Sequence, residues 1–520
     1  MPITANEQRR AKERRIAAWP RPGHELYSNL GATHEELAQL QMSFQGTVVL
    51  PTDPDYDQDR QGNPLYPEYP KVIVYCQVFN DVAIALDWAH QKPDWVVTCR
   101  SGGHSTAGFS VNNGMVLDVS RINYVLVDKT STTMRVGAGA NWGDVIAELT
   151  ANQVHTVTGG CPDVGVAGYI QGGGYGFTSR EFGMSSDNVL QMTVMLQDGS
   201  IVTAARDNAY AALFWAMRGG TGNNFGVLLE VVFQLYNRNV FWGFGIRWSL
   251  DNAPAALALM QSKYMKSGAP KELGYQTVIA TMQDGQQALA MFGMYDGSVN
   301  DGLAILQPLL STPGADLFID QIQTYAYLNE HLLDDNLYPP PPDAGLIEIK
   351  KPGYIAAPVS VSAWANVVQY FKTTTNKYNI VVIEPYGGTI NAFPASDSAF
   401  IHRDVYMDFF VDSFFFESGT PTSRRQAEEW LDGFMNLMQS NFNGRMYQNY
   451  PVRDNPNFAS AYWDAQTYGW LRLIKTKYDL DNFFRFEQSI PPLTDPRSIK
   501  KANDPSFVKG FPRKAKAKRR

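Results

Sequence analysis

The sequence has 520 residues, of which 44% are hydrophobic and 18% charged, and its formal net charge is −7. This length predicts two domains or one large composite, and the composition is typical of a globular protein with a large core. The acidic balance argues against nucleic acid as a partner, and no window approaches the roughly 18 consecutive apolar residues that would span a membrane.

The cysteine pattern and the N-terminus narrow the class of protein further. Cys76, Cys99 and Cys161 form no CxxC pair, so the sequence indicates neither a disulfide framework nor a metal site. The first 20 residues lack the apolar segment of a secretory signal. We therefore expect a soluble intracellular protein, in the cytoplasm, that acts as a monomer or a small homo-oligomer.

Along the chain, residues 1–45 form a helical extension in which Thr33 and Glu36 match a capping box in "THEELAQLQMSF". Residues 46–236 alternate short β-rich runs with helical ones. The runs "KVIVYCQV", "NDVAIALDWAHQ" and "DWVVTC" predict a strand, a helix and a strand, so this domain begins as a βαβ unit.

Residues 237–445 form a second domain with strand-like runs such as "FWGFGIRWSL" and "ELGYQTVIATM". In its helix "SRRQAEEWLDGFMNLMQ", one face is apolar and predicts core packing, with the residues Trp430, Phe434, Leu437 and Met438. The run "YPPPPD" at 338–343 predicts a stiff polyproline connection. Residues 446–495 return to the first domain, and residues 496–520 are a basic tail, which is more typical of a solubilising or address segment than of a binding site.

Three glycine-rich segments lie in the first domain: "CRSGGHST" (99–106), "GGCPDVGVAGYIQGGGYG" (159–176) and "RGGTGNNFGV" (218–227). Glycine lets backbone N–H groups approach a pyrophosphate or a flat ring. None of the three is a strand–GxGxxG–helix dinucleotide fingerprint. Together, with a histidine in the first and a cysteine in the second, they indicate a cofactor site.

These segments, with "YDLDNFFRFEQSI" near the C-terminus, resemble the berberine-bridge-enzyme-like branch of the vanillyl-alcohol-oxidase flavoproteins. The resemblance covers residues 46–236 and 446–490. It implies an α+β fold, in which a two-subdomain FAD-binding domain of the vanillyl-alcohol-oxidase (PCMH) type is joined to a substrate domain with an antiparallel sheet covered by helices.

The family holds FAD by two covalent bonds, from a histidine to the flavin 8α-methyl group and from a cysteine to flavin C6. The matching residues here are His104 and Cys161; a neutral imidazole and a thiolate are nucleophilic enough for such bonds. The alternative is a turn histidine and a buried thiol. The resemblance also implies cofactor contacts from Arg100, Ser101, Gly102, Gly103, Ser105, Val164, Gly165, Gly168, Tyr169, Gly173, Gly174, Phe225, Gly226, Val227 and Asn482.

Oxidation of an alcohol needs a base for the hydroxyl proton. The motif "YQNY" supplies Tyr450 as the base that the resemblance implies, with Tyr447 as the second choice. Tyr175 in "GGGYG" matches a family active-site tyrosine, or else packs on its glycine turn. Asp408 lies in "HRDVYMDFFVD" and is a candidate to polarise Tyr450 or bind a substrate hydroxyl; the alternative is a solvated residue on an edge strand.

Val164 matches the position that gates oxygen near the flavin, where a small residue goes with oxidase behaviour; the alternative is ordinary packing. Thr106 and Tyr169 depart from the residues usual in the family, and "RGGTGNNFG" has one residue more than usual. Because these departures surround the cofactor, the resemblance does not give the substrate.

We therefore expect an FAD-dependent oxidase with a bicovalently bound flavin. It would oxidise an alcohol carbon of a small-molecule substrate (a sugar, a phenolic or another secondary metabolite) and reduce dioxygen to hydrogen peroxide. The alternatives are a flavin-dependent dehydrogenase or oxidative cyclase, and a flavin-loaded binding protein with little turnover. Reduction of the flavin by a substrate, and its reoxidation in air, would separate these three.

Overall fold

The computed structural model describes residues 5–266, 268–338, 345–416, 421–504 and 507, so most of the predicted polyproline run and the end of the basic tail lie outside the described residues. None of the described helices is both long and apolar enough to cross a bilayer. The α-helices are α1 (Ala5–Ala18), α2 (Glu25–Leu30), α3 (His34–Ser43), α4 (Tyr56–Asp59), α5 (Phe79–His90), α6 (Trp142–Asn152), α7 (Val166–Gln171), α8 (Ser179–Phe182), α9 (Ala211–Ala216), α10 (Ala253–Tyr264), α11 (Val299–Leu310), α12 (Tyr325–His331), α13 (Val361–Phe371), α14 (Gly388–Ala392), α15 (Pro421–Met438), α16 (Phe458–Tyr462), α17 (Ala465–Tyr478) and α18 (Pro496–Ala502).

The strands of the described residues form three sheets. The first has the order β1-β2-β4-β3 and comprises β1 (Thr47–Val49), β2 (Val72–Tyr75), β3 (Val97–Arg100) and β4 (Met115–Asp118). The second has the order β5-β6-β9-β7-β8 and comprises β5 (Val125–Asp128), β6 (Thr133–Gly137), β7 (Val189–Met195), β8 (Ile201–Ala205) and β9 (Val227–Gln234). The third has the order β13-β10-β12-β11-β15-β16-β14 and comprises β10 (Val240–Ser249), β11 (Leu273–Thr281), β12 (Gln287–Tyr295), β13 (Asp316–Thr324), β14 (Leu346–Ile355), β15 (Ile380–Pro385) and β16 (Met407–Phe416).

Local sequence signals place the first elements. The Thr33 hydroxyl accepts the Glu36 N–H at 3.1 Å, and the Glu36 carboxylate accepts the Thr33 N–H at 2.7 Å, which confirms the predicted capping box at the start of α3. The predicted βαβ unit is also confirmed, with α5 joining β2 to β3. Both strands pair in parallel with β4, which lies between them. The loop after β3 is the first glycine-rich segment.

The third sheet is antiparallel and has two different faces. Side chains from α10, α11, α13 and α15 share one core cluster with Met407, Phe409 and Val411, the alternate residues of β16 on one face of the sheet. The opposite face, which includes Val278 and Phe410, joins the core of the first domain. The predicted α+β class, with an antiparallel sheet covered by helices, is confirmed. A site between the two domains therefore has this second face of the sheet as one wall.

The C-terminal return is tied to the first domain by a buried lysine. The Lys475 ammonium on α17 donates to the carbonyl of Asn224 at 2.7 Å and to that of Phe484 at 2.6 Å, and it pairs with Asp479. Lys475 and Asp479 have no exposed side-chain surface. Because Asn224 belongs to the third glycine-rich segment, these contacts fix the return against the loops of the first domain.

Candidate active site

A cavity of about 610 Å³ lies between the first domain and the third sheet. One wall is made by the glycine-rich segments, from residues 99–106, 159–169 and 221–228. The opposite wall is the inner face of strands β11, β14, β15 and β16, and residues 447–451 lie where the walls meet. All three glycine-rich segments thus line one cavity.

Two contacts hold the predicted linkage residues in this cavity. A Cβ atom on Gly102 would lie 2.3 Å from the backbone nitrogen of Gly165, so the two loops touch at a distance that only glycine permits. Beside this contact, Nε2 of His104 lies 2.9 Å from a carboxylate oxygen of Asp163. The structure therefore brings His104 and Cys161 to the same wall of the cavity.

The first wall has the properties that a dinucleotide cofactor needs. The backbone N–H groups of residues 102–105 donate to no acceptor among the described residues, and these residues line the cavity. A Cβ atom on Gly160 or Gly168 would meet nothing within 4 Å, so bare backbone faces the cavity there. A run of free N–H groups suits a pyrophosphate, and bare backbone suits a flat ring. The residues present fit FAD.

Arg100 positions the first loop. Its guanidinium pairs with the buried Asp118 and donates to the Tyr75 hydroxyl at 3.2 Å. The hydroxyl of the adjacent Ser101 donates to the carbonyl of Ala138 at 2.8 Å. The side chains of Arg100 and Ser101 are therefore engaged within the protein, which leaves the backbone of these two residues for any cofactor contact.

Cys161 is an exposed residue of the wall, yet its thiol is held in the neutral form. The enclosing cavity, with the nearby carboxyl groups of Asp334 and Asp163, raises the pKa of Cys161 to about 11. Only the thiolate is a strong nucleophile. A covalent bond from Cys161 therefore requires that its proton be removed during bond formation.

Tyr450 donates a hydrogen bond to a carboxylate that the sequence analysis missed. Its hydroxyl lies 3.1 Å from Oε1 of Glu384, which also accepts a hydrogen bond from the Gln276 amide at 3.0 Å. The second oxygen of Glu384 has no partner among the described residues. Burial raises the pKa of Glu384 to about 7, and burial and the Glu384 charge raise the pKa of Tyr450. The sequence signal was a glutamate within the apolar run "IVVIEP".

The expectation that Asp408 directly polarises Tyr450 is corrected by the strand register. Glu384 on β15 lies opposite Asp408 on β16, and Glu384 is the one that accepts from Tyr450. Asp408 has no exposed surface, and neither of its carboxyl oxygens has a partner among the described residues. Its pKa is raised well above the usual range by burial and by Glu384. Asp408 is thus neither a contact of Tyr450 nor a solvated residue on an edge strand, and it does not line the cavity.

The other two predicted tyrosines are bonded to the scaffold. The Tyr447 oxygen accepts the N–H groups of Gly174 at 2.7 Å and Tyr175 at 3.1 Å, and the side-chain amide of Asn449 at 2.9 Å. Gly174 has a φ of 85°, which favours glycine in this turn. The Tyr175 hydroxyl donates to the carbonyl of Pro385 at 3.0 Å. Both tyrosines line the cavity, but among the described residues only Tyr450 of the three donates a hydrogen bond to a carboxylate.

A buried cluster of charges lies beside Tyr450. The Lys350 ammonium lies 3.0 Å from Glu348 and 2.5 Å from Asp412, and 4.8 Å from the centre of the Tyr450 ring. Although burial acts in the opposite sense, the charges of Asp412 and Glu348 raise the pKa of Lys350, so the lysine is a cation. A cation over an aromatic ring favours negative charge on that ring. The sequence analysis missed this cluster, whose signal was the alternation of Glu348 and Lys350 on β14.

The remaining predicted cofactor residues divide into two groups. The first group lines the cavity and comprises Val164, Gly165, Gly168, Tyr169, Gly226 and Val227. The second group does not line it and comprises Gly173, Gly174, Phe225 and Asn482. Phe225 is buried in the core, and Asn482 lies in a turn after α17. The cofactor contacts of these four residues therefore stay a prediction.

Comparison with known proteins gives two family matches. Residues 70–205 match an FAD binding domain, and residues 446–491 match a domain described as berberine and berberine like. The uncharacterised FAD-linked oxidoreductase YgaK of Bacillus subtilis is 27% identical over 460 residues, which cover 86% of this chain and 97% of that protein. Chitooligosaccharide oxidase of Gibberella zeae is 28% identical over 449 residues, which cover 82% of this chain and 88% of that protein.

The fold has close structural counterparts. The solved structure of wild-type Physcomitrella patens BBE-like 1 matches with a TM-score of 0.78 and 24% identity, over 88% of this chain and 99% of that one. A chitooligosaccharide oxidase structure matches with a TM-score of 0.76 and 24% identity, over the same shares of the two chains. The two family matches and the FAD-linked relatives show an FAD-linked oxidoreductase that contains an FAD binding domain and a berberine-like domain. The solved structures show that its fold is that of berberine-bridge-enzyme-like proteins.

Proposed function

We propose that this chain is an oxidase that holds FAD covalently through His104 and Cys161 and oxidises an alcohol carbon of a sugar, a phenolic or another secondary metabolite. The observation that carries the proposal is the hydrogen bond from Tyr450 to Glu384 in the cavity that His104 and Cys161 also line. The flavin, when bound, would take a hydride from the alcohol carbon and pass electrons to dioxygen, which gives hydrogen peroxide.

The proton of the substrate hydroxyl would move through two residues of this chain. Tyr450 alone is a poor base because its own pKa is raised. When Glu384 is ionised, it accepts the Tyr450 proton while the phenol oxygen takes the proton of the substrate hydroxyl. The Lys350 ammonium near the Tyr450 ring stabilises negative charge that develops on the phenol during this transfer.

The covalent attachment is tested by acid precipitation of the purified protein. We expect the yellow colour to stay with the protein pellet in wild type and in each of H104A and C161A, because one bond persists in each single variant. In the double variant H104A/C161A the flavin should be released to the supernatant. C99A is a matched control, since Cys99 lines the same cavity outside the proposed linkage. Complete release of FAD from wild-type protein would contradict the proposal.

A further inference from the structure

The inner face of the third sheet is arranged in rows that run across its strands. One row, the polar row, comprises Gln276, Glu384 and Asp408, and of these Glu384 is the residue that bonds to Tyr450. The next row, the apolar row, comprises Val278, Val382 and Phe410, which the register of β11, β15 and β16 places side by side. The three side chains of the apolar row line the cavity and offer no hydrogen-bond donor or acceptor.

Beyond the apolar row the cavity wall carries both apolar and charged side chains. Leu333 and Leu337 line it from the segment that follows α12, and Ile380 and Phe414 line it from the sheet. The charged side chains in this part are Lys350, which lies within hydrogen-bond distance of Glu348 and Asp412, and Asp334 beside Leu333. The apolar contact available to a substrate therefore comes from the apolar row and from these leucine, isoleucine and phenylalanine side chains.

We infer that the cavity takes an alcohol with an apolar ring body rather than a saccharide. The reacting hydroxyl lies at Tyr450 and Glu384, and the ring of the substrate lies over the apolar row. This inference rests on the proposed oxidase function and names the class of its substrate. It narrows a choice among sugars, phenolics and other metabolites that the sequence leaves open.

The physical reason is the cost of burying polar groups without partners. A saccharide carries a hydroxyl on most of its ring carbons, and each one placed over Val278, Val382 or Phe410 would lose its bonds to water and gain none. An aromatic or alicyclic ring in the same place loses no hydrogen bond and is removed from water. The polar contact at Glu384 and Tyr450, next to the apolar row, matches a substrate whose reacting hydroxyl is attached to an apolar ring.

The first experiment measures flavin reduction without oxygen by two sets of alcohols. The apolar set is benzyl alcohol, 2-naphthylmethanol and cyclohexylmethanol, and the saccharide set is glucose, cellobiose and diacetylchitobiose. We expect the second-order rate constant of flavin reduction to be at least about 100-fold larger for the best apolar alcohol than for the best saccharide. A saccharide that reduces the flavin as efficiently overturns the inference but supports the oxidase function. Failure of both sets to reduce the flavin counts against the oxidase function.

If neither set of alcohols reduces the flavin, ligand binding still tests the inference. 2-Naphthol and methyl glucoside are titrated into the oxidised protein, and the change in the flavin absorption spectrum gives each dissociation constant. We expect 2-naphthol to bind at least about tenfold more tightly, and equal or tighter binding of methyl glucoside overturns the inference.

Variants of the apolar row test whether the ring of the ligand lies against it. V382T and V278T keep the shape of the side chain but place a hydroxyl against the ring, so we expect each to weaken 2-naphthol binding about tenfold. V381T is the matched control, because Val381 is the neighbouring buried valine that packs on the helix-covered face of the same sheet. If V382T and V278T both bind 2-naphthol as tightly as wild type does, the row does not contact the substrate and the inference is wrong.

Discussion

Three tyrosines lie close together at the cavity, and their hydrogen bonds give them different chemistry. Tyr447 accepts three hydrogen bonds and holds a glycine turn, and Tyr175 donates to a backbone carbonyl. Tyr450 donates to Glu384, whose second oxygen has no partner among the described residues. A phenol becomes a useful base when a neighbour can take its proton, so we propose Tyr450 rather than Tyr447 or Tyr175 as the base.

Replacement of Tyr450 by phenylalanine tests this assignment. Y450F should slow anaerobic flavin reduction by about 100-fold or more, which is the usual effect of losing a general base, and should leave the flavin spectrum in place. Y354F is a matched control, since Tyr354 is a fully buried tyrosine whose hydroxyl bonds to Tyr386 at 2.8 Å. Stopped-flow absorbance measures both. Reduction of Y450F at the wild-type rate would move the role of base to Tyr447.

The pKa of Glu384 predicts how flavin reduction depends on pH. Glu384 must be ionised to accept the Tyr450 proton, and burial raises its pKa to about 7. The rate of reduction should therefore be low well below pH 7, rise as the pH passes through about 7, and level off above it. E384Q cannot accept this proton, so its rate should be much lower and flat over the same range. A wild-type rate that falls as the pH rises through 7 would contradict the role of Glu384.

Val164 predicts how the reduced protein reacts with oxygen. This half-buried valine lines the cavity next to Gly165, in the loop that begins at Cys161. Dioxygen is small and apolar, so a small side chain leaves it a path that a larger one fills. V164L should slow reoxidation in air with little change in reduction by substrate, and V164A should reoxidise at least as fast as wild type. Stopped-flow reoxidation measures all three, and an equally fast V164L would remove Val164 as the gate.

At the scale of elements, local patterns predicted the loops better than the sheet. The glycine-rich segments carry their own signal, so the cavity wall with His104 and Cys161 could be proposed from sequence. Alternation along β16 placed Asp408 and Phe410 on one face. Nothing in that strand says which strand pairs with it, so the partner Glu384 on β15 was not predicted.

The charged cluster of Lys350, Glu348 and Asp412 also could not be predicted from local sequence. Lys350 and Asp412 lie opposite each other on β14 and β16, although 61 residues separate them in the chain. Asp412 lies in a mainly apolar strand and Lys350 lies among other charged residues, and neither residue on its own indicates its partner. Strand order decides whether such charges meet, and it depends on packing contacts between distant segments rather than on either local sequence.

At the scale of the molecule, three parts of the chain are needed to complete one cavity. The first domain supplies the cofactor wall, the third sheet supplies Glu384 and the apolar row, and the C-terminal return supplies Tyr450. A buried ion pair and a buried hydrogen bond join these parts. Arg403 makes two bonds of 2.7 Å to Asp187, and Lys475 joins α17 to the loop at Asn224. The position of Tyr450 therefore depends on contacts far from the cavity itself.

Replacement of Lys475 by methionine tests how strongly the return is held. K475M leaves the Asp479 carboxylate buried without its cation, so we expect the free energy of unfolding to fall by about 3–5 kcal/mol. Burial lowers the pKa of Lys475, so much of the attraction between Lys475 and Asp479 only offsets the cost of removing both charges from water. The double variant K475M/D479N has no unpaired buried charge at this site and should recover part of the free energy of unfolding that K475M loses. R425M breaks the exposed pair with Glu429 and should change the free energy by less than about 1 kcal/mol. Urea unfolding followed by tryptophan fluorescence measures all of these, and a K475M protein as stable as R425M would show that the buried lysine is not needed to hold the return.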